Sequence, residues 1–289
     1  MNFDQFLEQA WSEHGDDAYA VSVRLKSART LLAQPVQVPA LARILAHVFG
    51  EHLGDWSSAQ HELAQLQEHP LCLSDARASS AVRVAQAALA LAQGTVPQGA
   101  KLTDEERVRA LSSASAICLG RGELGNASDL FELCLKLVAL LPAASADFQR
   151  PLAVAANNLA CALGELPLRS EQQNAQMISA AQTARQYWER VGTWLETERA
   201  DYVLAKSCWR AGQLPAAASH AVACLSLCQA NNAPAFELFF AHEIAALVSK
   251  SLGYGAAFEA ARQSALKVFD ALDPQDQAAC QGERDALLV

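Results

Sequence analysis

Apolar residues recur at steps of three and four along nearly the whole chain. That is the period of helices packed by one face, not the two-residue alternation of strands. The few Gly and Pro residues fall at the ends of these runs, where they stop helices. The pattern predicts about fourteen helices, over 3–13, 16–33, 39–53, 55–68, 74–93, 103–120, 124–141, 147–166, 171–191, 194–211, 215–230, 235–252, 256–271 and 275–287. Several starts carry a capping side chain: Asp16 and Asp17, Ser74, Thr103 with Glu106 three residues on, and Ser170 with Gln173. The short linkers make consecutive helices antiparallel neighbours, so the chain reads as a run of helical hairpins. The helix at 74–93, followed by Gly94-Thr95-Val96-Pro97-Gln98-Gly99, has no evident hairpin partner.

Four hairpin turns share a pattern: Gly, then a large residue two positions later, then Ala at plus five. They are Gly54 with Trp56 and Ala59, Gly122 with Leu124 and Ala127, Gly212 with Leu214 and Ala217, and, more loosely, Gly253-Tyr254-Gly255 before Phe258. Gly supplies a left-handed residue that ends the first helix, and the small Ala lets the second helix approach closely. This turn resembles that of the tetratricopeptide repeat. Ala156-Asn157-Asn158-Leu159-Ala160 and Tyr187-Trp188-Glu189-Arg190-Val191-Gly192 are similar to segments of its longer kinesin-light-chain-like and MalT-like variants. The glycines are irregularly spaced, and Pro167 stands where one turn Gly would fall. The resemblance implies an all-α, superhelical α-solenoid. Residues 1–289 would form a single helical-repeat domain, with N-terminal helices over 1–38, hairpins over 39–271 and a capping helix over 274–289.

One predicted helix, ETERADYVLAKSCWRAGQ (196–213), carries two stripes. Leu204, Cys208 and Ala211 form an apolar one, whereas Arg199, Tyr202, Lys206, Trp209 and Arg210 form a basic and aromatic one. In the tetratricopeptide family, set positions of each first helix line a concave groove. By resemblance these fall on Arg199, Tyr202, Val203, Lys206, Trp209 and Arg210. In the neighbouring units they fall on Asn157, Asn158, Cys161 and Glu165, on Phe240, Glu243, Ile244, Leu247 and Lys250, and on Arg109, Ser112 and Ser113. Asn157 and Asn158 would hold a peptide backbone, since an amide both donates and accepts. Tyr202 and Trp209 would anchor it. Arg199, Lys206, Arg210 and Lys250, with Glu243 among them, would read charge, favouring acidic side chains or a C-terminal carboxylate. Val203 stands where a carboxylate clamp would want a basic residue. The alternative for this stripe is plain packing with solvated charges.

Composition narrows the function classes. The chain has 289 residues, 52% hydrophobic and 18% charged, with a net charge of -9. An acidic balance argues against nucleic acid or an anionic membrane as partner. No secretory signal or membrane span is expected, and eight Cys in helical patterns suit a cytoplasmic protein with reduced thiols. His220, Cys224 and Cys228 share a helix face at i, i+4 and i+8, yet Cys224 falls on a packing position. His242-Glu243 lacks the second His of a metalloprotease helix. His47, His52, His61 and His69 cluster near the first hairpin and are expected to be solvated or capping groups, with His47 one turn from Glu51. No phosphate loop or nucleophile elbow occurs. The expectation is therefore a non-enzymatic protein-protein interaction scaffold, without metal or cofactor, binding a peptide or protein partner. Alternatives are a regulatory module working through a partner and a self-associating homodimer.

Overall fold

The structure is a computed structural model that describes residues 1–96, 101–141 and 146–289. The described residues are all-α with paired sequential helices, as the periodicity predicts. Residues 97–99 of the loop at 94–99 lie outside the described residues. The chain divides into two compact units, Met1–Ala155 and Ala156–Val289.

In the N-terminal unit, α1 spans Phe3–Glu13 and α2 spans Ala18–Leu25. The single helix expected over 16–33 breaks after Leu25, and a short 3-10 turn follows at Ala28–Leu31. Side chains compete with the backbone at the break: Ser27 Oγ donates to Arg24 O (3.1 Å) and Thr30 Oγ1 to Ser27 O (2.8 Å). Next, α3 (Val38–Leu45) runs directly into a π-helical segment, Ala46–Leu53. The sequence pattern had merged the two into one helix. Gly50 lies in this wide turn, where an added Cβ would come 2.5 Å from the Leu89 side chain.

The remaining elements of this unit are α4 (Trp56–Gln67), α5 (Pro70–Leu73), α6 (Ala76–Ala92), α7 (Asp104–Gly120) and α8 (Leu124–Val138). Helix α6 has partners after all: it packs on α3, α4 and α7. Its cap is Asp75 rather than Ser74, because the Asp75 carboxylate accepts from Ala78 N–H (2.8 Å), while Ser74 closes α5. Likewise Asp17, not Asp16, caps α2. Thr103 with Glu106 and Ser170 with Gln173 form the expected reciprocal caps.

Helix α9 (Gln149–Gly164) leads into the C-terminal unit. There α10 (Glu171–Val191), α11 (Trp194–Arg210), α12 (Leu214–Ala230), α13 (Ala235–Ser251) and α14 (Gly255–Phe269) each pack on the next from α10 onward, and α11 also meets α13. The C-terminal cap expected as one helix is two, α15 (Pro274–Ala279) and α16 (Gln281–Ala286), divided at the fully buried Cys280. All four expected turn glycines, Gly54, Gly122, Gly212 and Gly253, have left-handed φ between 62° and 76°. Asn232 does the same work between α12 and α13 at φ 49°, a role open to Asn because its short polar side chain tolerates that region.

Candidate partner-binding cleft

Helix α11 starts from a reciprocal cap in which Thr193 N–H donates to Glu196 (2.7 Å) and Leu195 N–H donates to Thr193 Oγ1 (3.2 Å). Leu204, Ala205 and Cys208 are buried, which fixes the helix's rotation. Tyr202 is thereby aimed at α13, where its ring meets Phe240 edge-on at 5.2 Å, and Phe240 meets Phe236 at 5.1 Å. A cleft of about 300 Å³ lies among Asn157 of α9, Arg199, Tyr202 and Val203 of α11, and Phe236 and Phe240 of α13. Its walls are therefore largely aromatic and aliphatic.

Two acids complete the lining. Glu237 is buried and binds Arg199 at 2.5 Å, while the Arg199 side chain stays 57% exposed at the rim. Glu198 is buried and accepts a hydrogen bond from Cys224 Sγ at 3.0 Å. Desolvation pushes the Glu198 carboxyl above its usual range. The Cys224 thiol is raised by its hydrogen bond with Cys228 and by burial, so it remains a protonated donor. This accounts for the face shared by His220, Cys224 and Cys228. Cys224 serves Glu198, and His220 Nδ1 binds Asp201 at 2.9 Å.

The rest of the stripe is engaged within the chain. Lys206 Nζ donates to Tyr202 Oη (2.5 Å) and lies 3.3 Å from Glu283 of α16 and 3.6 Å from Glu243 of α13. Glu243 is 1% exposed, and desolvation outweighs the Lys206 attraction, raising its carboxyl to about 7. Arg210 pairs with Glu165 at 3.0 Å. Trp209 donates its indole N–H to Ser251 (2.8 Å) and packs on the cluster around Phe239 and Phe269. Lys250 is exposed and sits 5.4 Å from the Phe258 ring centre. Asn157 is half-buried at the cleft with Nδ2 3.9 Å from Cys161 Sγ, and its neighbour Asn158 is exposed.

Of the nine residues singled out in the sequence, the structure brings Asn157, Arg199 and Tyr202 together around the cleft. Lys206, Arg210 and Glu243 form ion pairs behind or beside it. Phe236, Glu198 and Glu237 were missed. The signal for Phe236 was its four-residue spacing from Phe240, which puts both rings on one face. A larger cavity of about 560 Å³ in the N-terminal unit is bordered by Trp56, Arg121, Glu123 and Asn126. Within it Glu123 accepts from Arg121 and Asn126, each at 3.1 Å.

Comparison with known proteins adds the fold. No family model matches the chain, and no curated protein matches it in sequence. Among solved structures, the crystal structure of BtubC (BKLC) from P. vanneervenii superposes with a TM-score of 0.55 at 15% identity, covering 95% of this chain and 93% of that one. The likeness shows that the two chains share a fold of paired helices. Among the described residues, no helix is long and apolar enough to cross a membrane.

Proposed function

We propose that the chain is a non-catalytic protein-interaction module whose C-terminal unit takes a peptide segment of a partner protein in the cleft between α11 and α13. The observation that carries this reading is the cleft itself. It joins aromatic walls to a rim with an amide, Asn157, and an exposed guanidinium, Arg199. Aromatic and Arg side chains of this kind dominate binding energy at protein interfaces. The fold supports the reading, since stacked helical hairpins present extended binding surfaces.

The same geometry narrows the ligand. All three cations of the stripe face a carboxylate of their own chain, but Arg199 is 57% exposed against 15% for Lys206 and 22% for Arg210, so its guanidinium is the one with donors left at the rim for an acidic group of a partner. The segment recognised would place an apolar side chain between Tyr202, Phe236 and Phe240 and a carboxylate beside Arg199. Asn157 would bind its backbone. Affinity capture from a native lysate tests this with wild type, Val203→Arg, which fills the cleft, and Arg199→Glu, which reverses the rim charge. Partners retained by wild type are expected to be lost with Val203→Arg and reduced with Arg199→Glu. Equal capture by all three, with helical content unchanged, would sink the assignment.

A further inference from the structure

The histidines of the N-terminal unit do not all behave as solvated or capping groups. His69 does cap α5, since its Nδ1 accepts from Leu71 N–H at 3.3 Å, and His61 bonds Gln65 on the surface. His47 and His52 instead converge with His14, at the C-terminal end of α1. His47 Nε2 lies 3.0 Å from His14 Nε2 and 3.1 Å from His52 Nε2, and all three ligand atoms lie within 4.8 Å of one another. Among the described residues this is the one group of three or more such side chains gathered closely enough to hold a metal ion.

The π-helical segment makes the convergence possible. His47 and His52 are five residues apart, a spacing that an α-helix would rotate onto different faces. A π-helix closes its hydrogen bonds between residues five apart and stacks them.

The other ring nitrogens decide what the cluster can bind. His14 Nδ1 lies 2.7 Å from the Trp11 carbonyl, and His47 Nδ1 lies 2.7 Å from the Glu51 carboxylate. A carbonyl and a carboxylate only accept, so each Nδ1 carries the proton. In the neutral rings, both Nε2 atoms then present bare lone pairs to each other at 3.0 Å. Two facing lone pairs repel unless something electrophilic sits between them. Outer partners of this kind, a backbone carbonyl and a carboxylate, are what orient metal-binding histidines. Glu51 is itself held in place by a close approach to α7, because a Cβ on Gly120 would collide with its carboxyl.

We infer that His14, His47 and His52 bind one divalent transition-metal ion of the zinc class through their three Nε2 atoms, with Glu51 and the Trp11 carbonyl orienting the rings. Imidazole nitrogens favour zinc, copper and nickel over calcium or magnesium. Tetrahedral zinc, with Zn–N bonds of about 2.0–2.1 Å, needs nitrogens about 3.3 Å apart, so two of the three contacts require shifts of only a few tenths of an ångström. Three protein ligands would leave a fourth position for water. The ion would tie the end of α1 to the π-helical segment.

The test uses the untagged full-length chain, stripped with chelator and titrated with Zn²⁺ against a chromophoric competitor and, separately, with Co²⁺ followed by its visible absorption. Wild type is expected to bind one equivalent. His47→Gln and His52→Gln should lose more than about 100-fold in affinity, and Glu51→Gln about 10-fold. His61→Gln and His69→Gln should match wild type. His52 is exposed, so its variant keeps the test valid even if His47→Gln perturbs folding. Wild type binding no tighter than His52→Gln would overturn the site and leave the histidines held by a shared proton. So would a thiolate-to-cobalt charge-transfer band, which would put the metal on cysteine.

Discussion

The two units satisfy their polar clusters in opposite ways. Around the cleft of the C-terminal unit, unlike charges meet: Lys206 faces Glu243 and Glu283, Arg199 faces Glu237, and Arg185 faces the buried Asp201 at 2.7 Å. In the N-terminal unit, like groups meet, and three imidazole nitrogens point at one another. The first arrangement neutralises charge within the chain, though one oxygen each of Glu198 and Glu243 stays without a hydrogen-bond partner, and it borders a cleft with apolar walls. The second is incomplete without an ion or a proton. Local geometry follows the same division, since the charge network sits on regular α-helices, whereas two of the three histidines sit on a π-helical segment and the third ends α1.

The largest effect expected on this contrast comes from breaking the buried network. Lys206→Met leaves Glu243 without its cation in a site 1% exposed. Removing one partner of a buried pair costs about 3–5 kcal/mol. Chemical denaturation should show the loss grow from pH 5, where the Glu243 carboxyl is protonated, and approach that size only above about pH 9, because nearer neutrality the stranded carboxyl takes up a proton instead of staying charged. A loss independent of pH would mean that Lys206 acts through packing alone.

Next in size is the pH dependence of Glu243 itself. Its carboxyl is raised from 4.5 to about 7. Below pH 4.5 it is neutral in both states. As pH rises toward 7 the unfolded chain ionises first, so stability falls, by on the order of 3 kcal/mol once pH exceeds the folded value. Glu243→Gln should remove this part of the decline between pH 4.5 and 8, leaving the difference from wild type as the readout. Parallel pH curves for the two proteins would contradict it.

Smaller effects probe the frame. Gly212→Ala places a Cβ at φ 74° in the α11–α12 turn, with open space around it. The left-handed conformation costs an ordinary residue roughly 1–2 kcal/mol, to be seen as a lowered denaturation midpoint. Least of all, Arg210→Ala breaks a pair whose Glu165 side chain is 76% exposed. Its cost should stay below about 0.5 kcal/mol, because solvent screens the attraction.

Much of the fold was legible because it rests on local rules. The three-and-four periodicity placed the helices, and Gly at 54, 122, 212 and 253 marked turns that the backbone confirms. The site was legible only in part. The stripe of α11 is a property of one helix, so Arg199 and Tyr202 could be singled out. Glu283 reaches Lys206 from 77 residues away, and no local pattern reports such a contact. For the same reason, whether Trp209 faced a groove or Ser251 was open in the sequence. The π-helical segment was hidden because its apolar positions also fit an α-helix over a few residues, and reading it as α separated His47 from His52. Ser74 and Asp75 show the limit at boundaries, where two adjacent residues could both cap and the carboxylate of the second does so.

The central claim, that the α11–α13 cleft is where a partner protein binds, is tested most directly by site-specific photo-crosslinking. A photoreactive residue at Val203, in the cleft, is compared with one at Val222, on α12 and 66% exposed. In a native lysate the account predicts a discrete adduct from position 203 whose yield falls when Arg199→Glu is added, and none from position 222. Adducts of equal yield from both positions, or from 222 alone, would contradict it.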